Sequence, residues 1–249
     1  KKALIFLAAV LLPPKELMNM FSPLSAFDRE RNAVLLFSSG STGVPKGVLL
    51  THHNLYTDVY AVANSMLIGP NDRILGNLPL FHSFGLNTCF FLAVLRGAQV
   101  IYVSNPLDGR NVCRTLKEEK ITICFATPSF LLTYLHRAEE GTFESLRLMV
   151  TGAEKLRNDI AARFHEITGK RLVVVEAYGS TELAPVVTVN LAESSVETGQ
   201  KFGRKGSIGL PLENISVRIL DPLSYQPVAP GEEGLLCVKG PIVMRGYLN

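Results

Sequence analysis

The sequence predicts an α/β protein that has a mainly parallel sheet with flanking helices, followed by a β-rich segment. Short apolar runs alternate with stretches of helical periodicity, and their starts lie about 25 residues apart, the span of one strand, one helix and two loops. After Tyr178 the helical periodicity fades, and Gly, Pro and Val become frequent. Hydrophobic residues make up 47% of the 249 residues, which is enough for a sizeable core.

The predicted elements follow this alternation along the chain. Residues 33–37 are all apolar and predict a buried strand. Thr51 has the side chain of an N-cap, and the helix that it begins is predicted over residues 54–67. Further strands are predicted at residues 73–78, 99–103, 122–126, 146–150, 172–177, 215–220 and 235–238. Further helices are predicted at residues 84–96, 109–119, 128–139 and 154–168.

Three regions are expected: a lead-in at residues 1–32, an α/β region at 33–205 and a β-rich subdomain at 206–249. The ten apolar residues 3–12 are fewer than the roughly 20 that span a bilayer. We expect them to form a short helix that packs on the body or touches a membrane surface. Because the chain starts at Lys1 without Met, we also expect a fragment of a longer protein.

Composition excludes several classes of function. A net charge of +3 without a basic cluster argues against nucleic-acid binding. The four cysteines and five histidines lack the spacing of a metal site, so we expect reduced, mostly buried thiols in a cytoplasmic protein. Any association with a membrane would come through a fused or flanking region.

Residues 36–48 read Leu-Phe-Ser-Ser-Gly-Ser-Thr-Gly-Val-Pro-Lys-Gly-Val and have the composition of a phosphate-binding loop. Glycine lets a ligand approach the backbone, hydroxyls donate hydrogen bonds, and Lys46 adds a positive charge, which together suit a polyphosphate. The order Pro-Lys-Gly differs from the Gly-Lys-Ser/Thr of a Walker A loop, which argues against a P-loop kinase or ATPase. A flexible Gly/Ser surface loop is the alternative, and the preceding apolar strand disfavours it. The candidate ligands are Ser38, Ser39, Gly40, Ser41, Thr42, Gly43 and Lys46.

A second polar stretch, at residues 176–182, follows a predicted strand, where ligands bind in α/β sheets. Tyr178 offers a flat ring for stacking on a base, Thr181 a hydroxyl, and Glu182 a hard oxygen ligand for Mg²⁺. Residues 151–154, Thr-Gly-Ala-Glu, also lie at a strand end, and Gly152 would let a ring approach. Taken alone, residues 176–182 are equally well explained as a plain turn between a strand and a helix. Residues 151–154, taken alone, are equally well explained as a helix N-terminus with an acidic first turn.

A third stretch, residues 78–86, holds the polar ring of His82 among apolar neighbours. A buried histidine with satisfied hydrogen bonds is the commoner outcome for such a residue, but beside the other motifs we favour a role in the site. Gly85 would leave room for an apolar chain.

Together these motifs closely resemble those of the adenylate-forming superfamily, which includes acyl-CoA synthetases, acyl-ACP synthetases, luciferases and peptide-synthetase adenylation domains. The resemblance covers about residues 33 to 249. It implies that the loop holds the β- and γ-phosphates of ATP and that Glu182 binds magnesium, with Thr181 on phosphate and His82 bordering the acyl pocket. The residues that it places around the adenine are Gly152, Ala153, Glu154, Ala177, Tyr178 and Gly179. Residues 206–211, 231–235 and 239–249 resemble later motifs of the family, and we assign them turns and no chemistry.

The function that this resemblance implies is that of an ATP-dependent acid–thiol ligase. A carboxylate and ATP would give an acyl-adenylate and pyrophosphate, and the acyl group would pass to the pantetheine thiol of coenzyme A or an acyl carrier protein. The Pro-Leu-Phe-His-Ser-Phe-Gly pattern of residues 79–85 indicates a fatty acid, and the lead-in favours a carrier protein as acceptor. Lys46, Thr181, Glu182 and His82 would be the catalytic residues. Since the family's Thr-Gly-Asp motif and lysine-bearing C-terminal domain are not in this sequence, the alternative is a non-catalytic nucleotide-binding or scaffolding module.

Overall fold

The computed structural model describes residues 28–38, 44–169, 171–172, 174–191, 204 and 206–248. Contacts divide the chain into two units, Lys1–Arg31 and Asn32–Asn249, and every element below belongs to the second. The helix predicted at residues 3–12 and the centre of the predicted phosphate loop, residues 39–43, lie outside the described residues. In the described part, no helix is long and apolar enough to cross a bilayer.

Strands and helices alternate as the sequence predicts. The strands are β1 (Asn32–Ser38), β2 (Lys46–Thr51), β3 (Arg73–Gly76), β4 (Gln99–Tyr102), β5 (Ile123–Ala126), β6 (Leu148–Thr151), β7 (Val174–Gly179), β8 (Val186–Asn190), β9 (Leu210–Pro211), β10 (Ser216–Leu220), β11 (Leu235–Lys239) and β12 (Gly246–Tyr247). The helices are α1 (His52–Ser65), α2 (Ser83–Leu86), α3 (Leu92–Arg96), α4 (Gly109–Glu118), α5 (Pro128–Leu135) and α6 (Asn158–Ile167). A π-helical turn, Asn87–Phe91, joins α2 to α3, and Thr181–Leu183 form a 3-10 turn.

The main sheet confirms the predicted fold class. Its seven strands lie in the order β4-β3-β5-β6-β7-β8-β9. Every pairing from β4 to β7 is parallel, whereas β7–β8 and β8–β9 are antiparallel. The carboxyl ends of the parallel strands therefore meet at one edge of the sheet, beside the point where the strand direction reverses.

Both faces of the sheet are buried at the central strands β3, β5 and β6, as is typical of parallel strands. Along β5, Ile123 and Phe125 belong to one core cluster and Cys124 and Ala126 to the other, because successive side chains point to opposite faces. Residues of α1 and α3 fill the first cluster, and residues of α4, α5 and α6 fill the second. Cys89, Cys113, Cys124 and Cys237 are free thiols, and the first three are buried, as predicted.

Helix α1 begins where the sequence predicts, at a capping box. The Thr51 hydroxyl accepts a hydrogen bond from the Asn54 amide at 3.1 Å, and the Asn54 side chain accepts one from the Thr51 amide at 2.8 Å. The reciprocal bonds satisfy two backbone donors that the helix leaves free, and they join α1 directly to β2.

The prediction of a buried strand at residues 33–37 was wrong about its burial. The strand is present as β1, but Leu35 is 41% exposed and Phe37 is 67% exposed, while Leu36 is buried. The reason is that β1 belongs to a separate sheet ordered β1-β2-β12, and its successive side chains point to opposite faces, of which only the face with Leu36 packs on the core.

Helix α6 starts at Asn158 rather than at the predicted residue 154. Arg157, with φ −81° and ψ 141°, has an extended backbone, so the helix begins after it. Helix α5 ends at Leu135, four residues before the predicted residue 139. The other predicted helices and strands agree with the observed ranges within a few residues, whereas β2, β8, β9 and β12 were not predicted.

The last part of the chain contributes strands to three sheets. Strands β10 and β11, which the sequence predicts, form an antiparallel pair. Strand β9 extends the main sheet beside β8, and β12 pairs with β2. The division of the chain at residue 206 stays a prediction.

Candidate active site

A cavity of about 260 Å³ lies at the carboxyl ends of β6 and β7. Four segments line it: the residues that follow β6, the end of β7 with the 3-10 turn, the residues before and within α2, and Pro185 with Val186 at the start of β8. This is the position at which open α/β sheets bind ligands, because the loops that leave neighbouring strands diverge there.

Most of the predicted site residues described by the structure meet in this cavity. The predicted residues that line it are His82, Gly152, Ala153, Ala177, Tyr178, Gly179, Thr181 and Glu182. Glu154 lies elsewhere: its Oε2 accepts hydrogen bonds from the amide and the hydroxyl of Ser129, at 3.3 and 2.6 Å. Ser38 and Lys46 are not among the residues that line the cavity. The Ser38 hydroxyl contacts Glu182, and the Lys46 ammonium lies over the ring of Tyr247. Ser39, Gly40, Ser41, Thr42 and Gly43 lie outside the described residues.

The strand ends leave a flat, accessible ring beside tightly packed backbone. Tyr178 is 38% exposed at the cavity. A Cβ at Gly152 would lie 3.1 Å from the Ala177 oxygen and 3.4 Å from the Phe84 ring, so a larger residue would crowd this wall. Ala153, in the left-handed conformation, turns the chain away from the sheet, and such uncommon backbone is often found at functional sites. Tyr178 therefore offers part of its ring surface to a planar base.

Glu182 is the acidic centre of the site. Its Oε1 accepts hydrogen bonds from the Tyr247 hydroxyl at 3.1 Å and the Ser38 hydroxyl at 3.4 Å. The hydrogen bond to Glu182 raises the pKa of the Tyr247 phenol, together with smaller effects of burial and of the negative charge. Lys46 lies on the same tyrosine, with its Nζ 5.3 Å from the ring centroid. The carboxylate, Tyr247 and the lysine thus form one cluster at the end of the predicted phosphate loop.

The oxygen atoms at and near Glu182 suit a magnesium ion that is also bound by a phosphate ligand. Carboxylate and hydroxyl oxygens are hard ligands, and Mg²⁺ is commonly held by one or two carboxylates together with substrate phosphates. Within the described ranges no group of three or more His, Cys, Asp or Glu could hold a metal by itself. Glu182 would bind the ion, and Thr181, whose Oγ1 lies 3.1 Å from Ser83 Oγ, presents a hydroxyl beside it.

His82 lines the cavity and is held in one orientation by a hydrogen bond. Its Nδ1 accepts a hydrogen bond from the Phe84 amide at 3.2 Å and so caps α2. Partial burial lowers the pKa of the imidazole. Because Nδ1 is an acceptor in the neutral ring, Nε2 carries the proton and can donate a hydrogen bond to a carboxylate ligand.

A buried polar network behind the cavity was missed by the sequence analysis. Asp58 Oδ1 accepts a hydrogen bond from the Val186 amide at 3.0 Å, and the Asn87 amide donates to Asp58 Oδ2 and, at 2.8 Å, to the Ala184 oxygen. Burial raises the pKa of Asp58, although the bonds from Val186 and Asn87 oppose this effect. The network fixes the segment that forms one cavity wall. Its only signal in the sequence is a lone acid on the apolar face of α1.

Gly85 does not leave room for an apolar chain, contrary to the prediction. A Cβ at this position would lie 2.9 Å from the Leu78 carbonyl oxygen and nearer still to that of Pro79. Gly85 is therefore required for close packing of α2 against the preceding backbone, and the space is already filled.

Comparison with known proteins gives a consistent result. A family model described as AMP-binding enzyme matches residues 9–248. "Probable 4-coumarate–CoA ligase 1" of Dictyostelium discoideum is 32% identical over 232 residues, which are 91% of this chain and 40% of that protein. "Long-chain-fatty-acid–CoA ligase" of Salmonella typhimurium is 34% identical over 220 residues, covering 86% of this chain and 37% of that protein.

A solved structure of o-succinylbenzoate coenzyme A synthetase (MenE) from Bacillus subtilis, in complex with ATP and magnesium ion, is also similar. It superposes with a TM-score of 0.78 at 30% identity, covering 89% of this chain and 44% of that one. The chain spans about two fifths of the length of the curated relatives described above.

Proposed function

The chain belongs to the AMP-binding enzyme family, and on this premise we propose that the protein containing it activates a fatty acid with ATP and transfers the acyl group to a pantetheine thiol. The observation that carries the proposal is the cavity at the ends of β6 and β7, where Tyr178, Thr181 and Glu182 lie beside His82. A flat ring, a hydroxyl, a carboxylate and a neutral imidazole suit a base, a phosphate, a cation and a carboxylate substrate, respectively.

In the proposed reaction, a carboxylate oxygen attacks the α-phosphorus of ATP. The bond from that phosphorus to the bridging oxygen breaks, and pyrophosphate leaves with the electron pair. A pantetheine thiolate then attacks the acyl carbon, AMP leaves, and the proton of the thiol goes to solvent. No residue of the chain forms a covalent intermediate.

The residues of the chain act by positioning and by stabilising charge. Tyr178 stacks on adenine, and the hydroxyls of Thr181 and the phosphate loop orient the phosphates. His82 donates from Nε2 to the carboxylate substrate. Lys46 stabilises the negative charge that develops on the phosphates in the transition state. Mg²⁺ bound at Glu182 would supply further positive charge to the phosphate oxygens.

A fatty acid is the proposed substrate, because the apolar residues Phe84, Pro185 and Val186 line the cavity together with His82. The similar Salmonella protein is named for long-chain fatty acids, although other relatives are named for 4-coumarate and o-succinylbenzoate. Coenzyme A is the acceptor that the relatives' names support, and an acyl carrier protein is the second acceptor to be tested. A cytoplasmic location is proposed on the free thiols.

The proposal is tested by carboxylate-dependent exchange between ATP and pyrophosphate in the protein that carries this chain. Fatty acids of graded length are compared with 4-coumarate and o-succinylbenzoate. We expect exchange with fatty acids that falls by about 10²- to 10³-fold in Lys46→Met and in Glu182→Gln, the loss typical of a removed transition-state contact. Lys239→Met and Glu213→Gln, which make the same chemical changes away from the cavity, serve as matched controls.

Two outcomes would count against the proposal. Exchange that depends only on an aromatic acid would overturn the fatty-acid assignment and leave the ligase assignment intact. An absence of exchange with every acid, while Mg-ATP still binds, would overturn the ligase assignment and favour the nucleotide-binding module.

A further inference from the structure

Tyr247 lies on β12, far along the chain from the recognised site motifs, yet the backbone of its segment is hydrogen-bonded to both of them. Strand β12 pairs with β2, with Tyr247 opposite Val48, and the Leu248 amide donates to the Gly47 oxygen at 2.7 Å. On the other side, the Met244 amide donates to the Glu182 backbone oxygen at 2.8 Å. The segment from Met244 to Leu248 therefore ties the end of the predicted phosphate loop to the turn that carries Glu182.

The side chain of Tyr247 makes the same connection a second time. Its hydroxyl donates to Glu182 Oε1 at 3.1 Å, and its ring lies under the Lys46 ammonium at 5.3 Å from the centroid. Tyr247 keeps 41% of its surface exposed, so the contacts do not result from packing in a closed core. A residue that only completed the strand pairing would not need either contact, because the pairing uses backbone atoms alone.

The two oxygens of the Glu182 carboxylate are in different situations. Oε1 accepts from both Tyr247 and Ser38. Among the residues that the structure describes, no donor is hydrogen-bonded to Oε2 and no cation is paired with Glu182. One oxygen is thus used to hold the carboxylate in place, and the other is available to a ligand.

We propose that Tyr247 is a positioning residue, whose hydroxyl holds Oε1 of Glu182 so that Oε2 is presented to the magnesium ion of Mg-ATP. This inference rests on the proposed function, in which Glu182 is the magnesium ligand. A carboxylate side chain without such a partner samples several rotamers, and fixing it reduces the entropy lost when the ion binds. Loss of an outer-shell partner of this kind typically lowers metal affinity or activity about 10- to 100-fold.

The test measures the affinity for ATP by titration calorimetry, with Mg²⁺ and with EDTA, in wild type and two variants of the full chain. Tyr247→Phe removes the hydroxyl and keeps the ring beneath Lys46, whereas Tyr247→Leu removes both. We expect the gain in ATP affinity on adding Mg²⁺ to fall about tenfold or more in both variants. ATP affinity in EDTA stays unchanged in Tyr247→Phe and falls a few-fold in Tyr247→Leu, since a cation–π contact has been lost there. Tyr225→Phe removes the hydroxyl of an exposed tyrosine in the connection between β10 and β11 and is the matched control.

The outcomes separate this inference from the proposed function. A Tyr247→Phe variant with the magnesium dependence of the wild type would overturn the inference while leaving the proposed function standing. So would an equal loss of affinity with and without Mg²⁺, because that result indicates a purely structural role. A wild-type chain whose ATP affinity does not respond to Mg²⁺ would overturn the proposed role of Glu182, and this inference with it.

Discussion

Replacing Gly179 by alanine would place a methyl group against the backbone of the neighbouring strand. Gly179 is the last residue of β7 and pairs with Val186 of β8. The new Cβ would lie 2.7 Å from the Pro185 carbonyl carbon, closer still to its oxygen, and 3.1 Å from Val186 Cα. Since these obstacles are backbone atoms, no rotation of a side chain can relieve the overlap.

The size of the effect follows from the displacement required. Ordinary contact begins near 3.4 Å, so the Pro185 carbon must move by at least 0.7 Å, the difference between 3.4 and 2.7 Å. Overpacking by one methylene costs about 1–3 kcal/mol when side chains can adjust. Movement of Val186 would also weaken its 3.0 Å hydrogen bond to buried Asp58, worth about 1–3 kcal/mol if the acceptor is left unpaired. We therefore expect a loss of about 3 kcal/mol in the free energy of unfolding.

Urea unfolding followed by circular dichroism measures this loss, and calorimetry with Mg-ATP measures its effect on the cavity wall that Pro185 and Val186 form. Gly69→Ala is the matched control. A Cβ at Gly69 meets nothing within 4 Å, and Gly69 is not among the residues with positive φ. It should change stability by less than about 1 kcal/mol, in the stabilising direction, because the unfolded chain loses freedom.

A Gly179→Ala variant that unfolds at the same urea concentration as Gly69→Ala would refute this reasoning. It would mean that β8 can move away from β7 at little cost. Weakened nucleotide binding without a loss of stability would place the effect in the cavity alone, and it would contradict the role assigned to the strand contact.

Three further predictions concern residues around the site and beneath the sheet. His82→Asn keeps a capping acceptor but does not titrate. Because burial lowers the pKa of His82, the unfolded wild-type chain binds a proton more readily than the folded chain. In urea unfolding, wild type should therefore lose stability relative to the variant as the pH falls below about 6.5. Asp58→Ala leaves the buried amide of Asn87 short of a partner and should cost about 2–4 kcal/mol in urea unfolding. Arg147→Lys breaks the pair of 2.7 Å hydrogen bonds to Asp72 and should cost about 2 kcal/mol, also read from urea unfolding.

Controls for these three use similar substitutions at exposed positions. His136→Asn, Glu118→Ala and Arg110→Lys test for general effects of the substitutions in the same assays. Equal pH dependence of wild type and His82→Asn would rule out the histidine as the titrating group. A loss below about 0.5 kcal/mol in the free energy of unfolding of Asp58→Ala or Arg147→Lys would show that the groups bonded to these side chains find water or new partners.

Much of the fold could be predicted because its determinants are local. The apolar runs that became β3 to β7, and the capping side chain of Thr51, act within a few residues of their own position. The order of the strands could not be read in this way. Strand β3 lies between β4 and β5, and β12 crosses to pair with β2, since pairing partners are selected by packing across the whole molecule. The exposure of Phe37 was mispredicted for the same reason, because an apolar run does not reveal which of its faces is covered.

The residues of the candidate site also fall into two groups, those that a local sequence motif identified and those that only the fold brought to the cavity. Tyr178, Thr181 and Glu182 are neighbours in the sequence, so one short stretch identified them, and the sheet brought Gly152 and His82 to the same cavity. Glu154 follows Gly152 closely in the sequence, yet its carboxylate is hydrogen-bonded to Ser129 and does not line the cavity. The reason is that the left-handed backbone at Ala153 turns the chain between the two residues.

By itself, the sequence determined which chemical groups this protein has and in which short segments they are presented: a hydroxyl-rich loop ending in Lys46, an aromatic and acidic turn, and a lone histidine. Only the tertiary structure decided which groups support them. Tyr247 reaches Glu182 from 65 residues away, and Asp58 holds Val186 from 128 residues away. Hydrogen bonds act over about 3 Å in space, whatever the separation along the chain, so such contacts leave no pattern in a single sequence.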